Sequence, residues 1–163
     1  MNTTNNFFSE LLRKNQIMKY NKEQLSLANY SPFSFYNNML FISGQLPIVD
    51  NNLKYIGKIS SELELNDIEQ AILICTSNTL WHVSSFIDEN LDSNFNNISC
   101  LNIKGYFNSD PSFINHSSLL DVASDLMIKV LGAEKGKHSR LAVGCSSLPK
   151  NSPVEIESIF SIY

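Results

Sequence analysis

The chain is poor in charge, in cysteine and in long apolar runs, and each shortage excludes something. Lys, Arg, Asp and Glu together make up 17% of its 163 residues. The formal net charge is −4 and the basic residues do not cluster, which argues against a groove that tracks the phosphates of a nucleic acid. Three cysteines, Cys75, Cys100 and Cys145, have no CxxC spacing and sit in apolar runs, where a reduced thiol packs as a small hydrophobe. Their odd number favours a reducing compartment. No apolar run approaches the ~18 residues of a membrane span. The amino terminus, MNTTNNFFSELLRKNQIMKY, lacks the charged-then-apolar order of a secretory signal. There is no HExxH, and no carboxylate stands at metal-ligand spacing from His82, His116 or His138. A single soluble cytoplasmic domain, with no metal and no membrane partner, is the expectation, since the length is too small for two ordinary domains.

What is present is a run of clear periodicities. Phe7, Leu11 and Leu12 fall at helical spacing between Asn6 and Gln16. A polar linker follows to about Ser26. MLFISGQLP reads as a strand, preceded by Asn37-Asn38, which tolerates the left-handed turn conformation, and closed by Ser43-Gly44, where glycine permits a bulge or a close backbone approach. Asp50-Asn51-Asn52 is a turn. Ile68, Ala71, Ile72, Cys75, Thr79, His82, Val83 and Phe86 make one apolar helical stripe, with Asn66 as the expected N-cap and Glu69 completing a capping box. His82 on that stripe reads as a packed core histidine. NISCLNIKGYFN is a strand whose alternation is imperfect. Leu119 to Val130 form a second helix, with Gly132 as its stop. Two helices cover one face of the resulting sheet, yet Met39 and Phe41 share the parity of Ser43 on the other. A second copy of the chain is the natural cover for that face.

The last segment, HSRLAVGCSSLPKNSPVEIESIF, reads as two antiparallel strands, Leu141–Val143 and Val154–Ile156, joined by a turn-rich loop. A symmetric hairpin sets Arg140 opposite Glu155 on one face, together with Ala142 and Gly144. That arrangement is either a cross-strand ion pair or half of a carboxylate-binding site. Glu157 shares the face of Glu155 and is a candidate to neutralise Arg140. His138, at the same parity as Arg140, suits a surface or interface role. Phe107 and Asn108 are open between lining the cleft and forming a turn.

Tyr30, Ser43-Gly44-Gln45-Leu46-Pro47, Arg140, Leu148-Pro149 and Val154-Glu155-Ile156-Glu157, in this order and at these separations, resemble the RidA/YjgF family, also known as endoribonuclease L-PSP. The resemblance runs from about Leu27 to Ile162. It divides the chain into an amino-terminal helical extension and linker (1–26) and an α+β domain (27–163). It implies a mixed sheet with two helices on one face, like chorismate mutase of the Bacillus type, and a homotrimer whose sheets close into a central barrel. It further implies hydrolysis of reactive 2-imino and 2-enamino acids to a 2-keto acid and ammonia, in clefts between subunits and without a cofactor. Arg140 matches the arginine that grips the substrate carboxylate, and Glu155 the carboxylate that places or activates water. Tyr30 matches a tyrosine that reaches the site, and Ser43 and Gly44 match cleft-lining positions. Ala142 stands where the deaminases often carry cysteine. Their ligand-binding asparagine on the second helix has no clear counterpart, the alignment falling at Val122 or Ser124. The chain thus resembles a longer, divergent subgroup. A non-catalytic trimeric binder of small carboxylate metabolites is the second reading, and a ribonuclease or translation inhibitor the third.

Overall fold

The computed structural model describes residues 6–20, 29–92 and 94–163. Residues 21–26 of the expected linker, and the boundary expected at residue 26, lie outside the described residues. The elements run α1 (Phe7–Lys14), β1 (Phe33–Tyr36), β2 (Met39–Gln45), β3 (Ile48–Val49), β4 (Asn52–Leu53), α2 (Leu65–Asn90), β5 (Ile98–Asn108), α3 (His116–Lys135), β6 (Ser139–Cys145) and β7 (Val154–Ile162). Five strands form one sheet in the order β1-β2-β7-β5-β6, and β3 with β4 makes a separate small hairpin. This is the mixed α+β class expected.

Turn chemistry sets the two hairpins. Asn37 and Asn38 take φ of 46° and 61°, and Asp50 and Asn51 take 47° and 66°. Two consecutive left-handed residues form the two-residue turn whose twist matches that of the strands, and Asn and Asp tolerate it best among residues with a Cβ. Tyr36 accordingly pairs Met39, and Val49 pairs Asn52.

The imperfect alternation of β5 has a physical cause. Its register against β7 shifts between Cys100 and Asn102, so Leu101 is an extra residue. Ile98 and Cys100 before the bulge, and Ile103 and Phe107 after it, therefore all face the core. Val154, Ile156, Phe160 and Ile162 of β7, with Leu40 and Ile42 of β2, complete the buried face of the sheet.

Helix α2 is buried nearly all round from Ala71 to Ile87, and several of its polar side chains bond within the core. Thr76 and Thr79 return their hydroxyls to the carbonyls of Ile72 and Cys75, and Asn78 donates to the carbonyls of Leu46 and Ile48. The helix starts at Leu65 with Glu64 as N-cap and no side-chain cap, so the capping box expected at Asn66 does not form. The tight connection through the Ile59–Leu63 bridge delivers the chain to the helix before Asn66 is reached. His82 is buried, its Nδ1 has no hydrogen-bond partner among the described residues, and burial lowers its pKa to about 4. It is a neutral core residue, as read from the sequence. In α3 the backbone does leave helical geometry at Gly132 (φ 84°), but helical turns resume as far as Lys135.

Helix α1 packs on α2. The side-chain oxygen of Asn6 caps α1 by accepting from the Ser9 amide at 2.6 Å, while its amide donates to the Ser84 carbonyl at 2.9 Å and to Asp88 at 2.6 Å. One residue thus starts α1 and ties it to α2. Phe8 and Leu12 are buried in the common core. Leu12→Ala is expected to cost about 2–5 kcal/mol, the usual range for a core truncation. Urea unfolding at fixed protomer concentration checks this, and α1 is expected to melt in the same transition as the sheet.

Candidate functional site

The pairing of β6 overturns the hairpin read from the sequence. β6 runs parallel to β5, with Ile103 opposite Arg140, and β7 runs antiparallel along the other side of β5, with Tyr106 opposite Glu155. β5 therefore stands between Arg140 and Glu155. The parallel pair requires a crossover, and α3 supplies it. The loop after Cys145 carries the chain past the end of β5 rather than folding it back on β6.

The two residues also lie on opposite faces. Glu155 alternates with the buried Val154 and Ile156 and so points away from the helices. Arg140 points toward them, because its guanidinium donates to Asp121 at 2.6 Å, to Ser124 at 3.0 Å and to Ser117 at 3.1 Å, all on α3. Ala142 shares this face and packs against the edge of the core. Arg140 is therefore neither paired with Glu155 nor neutralised by Glu157. Glu157 instead accepts from Lys104, its direct cross-strand partner, at 2.9 Å.

Glu155 occupies an open cleft of about 620 Å³ on the face away from the helices, lined also by Tyr30, Phe41, Ser43, Gly44 and Glu157. The cleft is made by a bulge. β2 pairs β7 at Ile42 with Ser158 and at Gln45 with Ile156, so Ser43 and Gly44 together face Glu157. A Cβ at Gly44 would land on the Glu155 carboxylate, so glycine is required there for close approach and not for an unusual backbone angle. Ser43 donates its hydroxyl to the Ser31 carbonyl at 2.8 Å and its amide to the Pro32 carbonyl at 3.0 Å, fixing the segment that presents Tyr30. Desolvation, and next the neighbouring Glu157, raise the pKa of Glu155 above the ordinary glutamate value. Phe107 and Asn108 do not line the cleft. Phe107 is core, and Asn108 is buried between Lys58 and Asn151.

On the other face the Arg140 cluster has an ordered hydrogen-bond chain. His138 Nδ1 lies 2.6 Å from the Gly136 carbonyl, which can only accept, so Nδ1 carries the proton. In the neutral ring Nε2 is then an acceptor, and the Ser124 hydroxyl donates to it at 3.1 Å while accepting from Arg140. His138 is half-buried and takes part in this cluster, where the sequence suggested a surface or interface role. Ser117, Asp121 and Ser124 fall at helical steps of four and three residues, one face of α3. Asp121 and Ser117 were not singled out as site residues from the sequence. The helical spacing carried the signal for both. Among the described residues, no group of three or more His, Cys, Asp or Glu side chains is placed to hold a metal ion.

The family described as "YjgF/chorismate mutase-like, putative endoribonuclease" matches residues 16–161. The chain belongs to this YjgF family. Its relatives include Protein TCP17 of Trypanosoma cruzi, 30% identical over 83% of this chain and 82% of that protein. Among solved structures it is similar to the protein Atu1372 of Agrobacterium tumefaciens, with a TM-score of 0.79 and 30% identity over 96% of this chain and 95% of that one. The YjgF gene product of E. coli shares the fold at a TM-score of 0.56 and 16% identity, covering 85% of this chain and 91% of that one. Among the described residues of this YjgF family member, no helix is long and apolar enough to cross a membrane.

Proposed function

We propose that the protein is a cofactor-independent hydrolase of 2-imino acids, working as a homotrimer in which Arg140 of one protomer meets Glu155 of a neighbour. The observation that carries this reading is the separation of the two groups within one chain. They lie on opposite faces of the sheet and two strands apart, about 10 Å laterally at ordinary strand spacing. One small ligand cannot touch both in a single protomer. Arg140 sits on the edge strand β6, and the cleft face exposes Met39, Leu101 and Leu141, an apolar surface suited to a second copy of the chain.

In this reading Arg140 holds the substrate carboxylate. Three of its five N–H groups are used internally, and two remain, the number a bidentate carboxylate takes. Tyr30, Ser43 and Gly44 wall the cleft beside Glu155. Glu155 takes a proton from water as the water oxygen bonds to the imino carbon and the C=N electrons move to nitrogen. It returns that proton to the nitrogen, giving a carbinolamine; it then takes the hydroxyl proton as the C=O forms and delivers it to the nitrogen, which leaves as ammonia when the C–N bond breaks. A carboxylate whose pKa is raised by desolvation and by Glu157 is a stronger base than an ordinary one.

The binder reading keeps one supporting observation, the internal carboxylate of Asp121 already on Arg140. The ribonuclease reading follows the family's description, but the cleft presents Glu155 and Glu157, a sign of charge that repels phosphate.

The test generates imines in place with an amino-acid oxidase and traps them with semicarbazide. The wild-type protein is expected to shorten imine lifetime and release 2-keto acid, and to sediment as a trimer. A monomer, or an unchanged lifetime across several amino acids, overturns the reading.

A further inference from the structure

We infer that Lys104 is a positioning residue of the cleft: by holding Glu157 it decides which of the two cleft carboxylates stays ionised and which takes up and releases the proton. The inference deepens the proposed role of Glu155 as base and rests on it for the rate, while the charge states themselves are readable without substrate. Glu155 and Glu157 are two residues apart on β7, share one face of the sheet and line the same cleft. Two like charges so placed do not ionise independently, and without a third group a proton is shared between them. Lys104 removes that symmetry. It stands on β5 directly opposite Glu157, on the side of β7 away from β2. It therefore reaches Glu157 from behind and is not itself among the lining side chains. Its ammonium meets one Glu157 oxygen at 2.9 Å. Among the described residues no cation pairs with Glu155, whose direct partner on β5 is Tyr106.

The other titratable or charged groups on the surrounding elements are Tyr30 and Tyr36 at β1, Tyr106 on β5, Cys145 on β6, and Lys150 next to the lining Pro149. Ser34, Phe41 and Ser43 of β1 and β2 carry no charge. An ion pair whose side chains are 32% and 33% exposed adds little to stability. Its effect falls on the neighbouring carboxylate instead. The hydrogen bond to Glu157 raises the pKa of Lys104, while desolvation, and next the Glu157 charge, raise that of Glu155.

On the acid limb of imine hydrolysis the rate follows the ionised fraction of Glu155. Lys104→Met leaves the Glu157 charge unopposed, so Glu155 holds its proton more tightly. The variant is expected to run about threefold slower than wild type at a fixed pH on that limb, the size of one like-charge interaction across two strand residues. Lys104→Arg keeps the cation and is expected to restore the limb. In a Glu157→Gln background, Lys104→Met should leave the limb where Glu157→Gln alone puts it, because the charge through which Lys104 acts is gone. A lysine that only braced the sheet would change melting and leave the limb in place. Carbon-13 NMR of the glutamate carboxylates in the full-length protein reads the same order without substrate. The Glu157 carboxylate is expected to stay ionised across the Glu155 step in wild type and to share that step in Lys104→Met. A limb and a Glu155 step that Lys104→Met leaves in place overturn the inference, as does an equal movement in the Glu157→Gln background. A moved Glu155 step in a protein that hydrolyses no imine supports the inference and removes the hydrolase reading.

Discussion

Mixing two inactive variants is expected to restore activity. Arg140→Ala removes the bidentate hold on the substrate carboxylate and is expected to lower kcat/KM by about a hundredfold or more, as truncation of a hydrogen-bonded charge contact does. Glu155→Gln keeps the cleft but removes the base. If each site takes Arg140 from one protomer and Glu155 from its neighbour, trimers reassembled from an equal mixture of the two variants contain some sites with both groups intact. Random assembly gives about a quarter of the sites, since each needs an unmutated arginine from one chain and an unmutated glutamate from another. Keto-acid release after refolding the mixture reads this directly. Activity no higher than the mean of the two variants would place both groups in a single-chain site or deny them a shared one. The prediction is severe because the sheet stands between the two groups in every protomer.

Glu155→Gln is expected to do two opposite things. Its rate falls by about a hundredfold or more, the usual contribution of a positioned general base. Its stability near neutral pH rises. The folded-state pKa of Glu155 is raised, first by desolvation and then by Glu157, so the folded chain binds this proton more tightly than the unfolded chain. Ionising the group therefore costs stability, and that cost develops as pH rises from the ordinary glutamate value through the raised one. Glutamine, uncharged at every pH, avoids it. Thermal melts at several pH values should show the variant melting above wild type at neutral pH, with the gap closing in acid. In wild type the acid limb of the rate profile should lie above the ordinary glutamate range, and Glu157→Gln should move it down by removing the neighbouring negative charge. A melting gain that persists unchanged below the glutamate range would contradict the electrostatic cause.

The same residue thus explains why Gly44 is fixed. Its missing Cβ leaves room for the Glu155 carboxylate against the β2 bulge. The bulge sets Ser43 and Gly44 together opposite Glu157, so the cleft wall, Glu155 and the carboxylate beside it belong to one local irregularity of the sheet.

Much of this was legible in the sequence. Asn37-Asn38 announced its turn because a left-handed pair tolerates few residues, and Ser43-Gly44 announced its bulge. The stripe from Ile68 to Phe86 announced a helix lying on a sheet. The family resemblance supplied the α+β class, and of the residues it pointed to, Tyr30, Ser43, Gly44 and Glu155 line one cleft while Arg140 lies on the other face. The order of the last strands was not legible. A turn-rich loop between two apolar runs signals a reversal of direction, and β6 and β7 are indeed antiparallel, but it does not signal adjacency. β5 takes the place between them because its core face, Ile98, Cys100, Ile103 and Phe107, is fully buried, as is that of β7, and a strand buried in this way is paired on both sides. That insertion puts Arg140 on the edge beside α3 and Glu155 on the opposite face. The residue types and their periodicities therefore came from local chemistry. Which charges meet was decided by strand order and register, which depend on contacts between segments far apart in the chain.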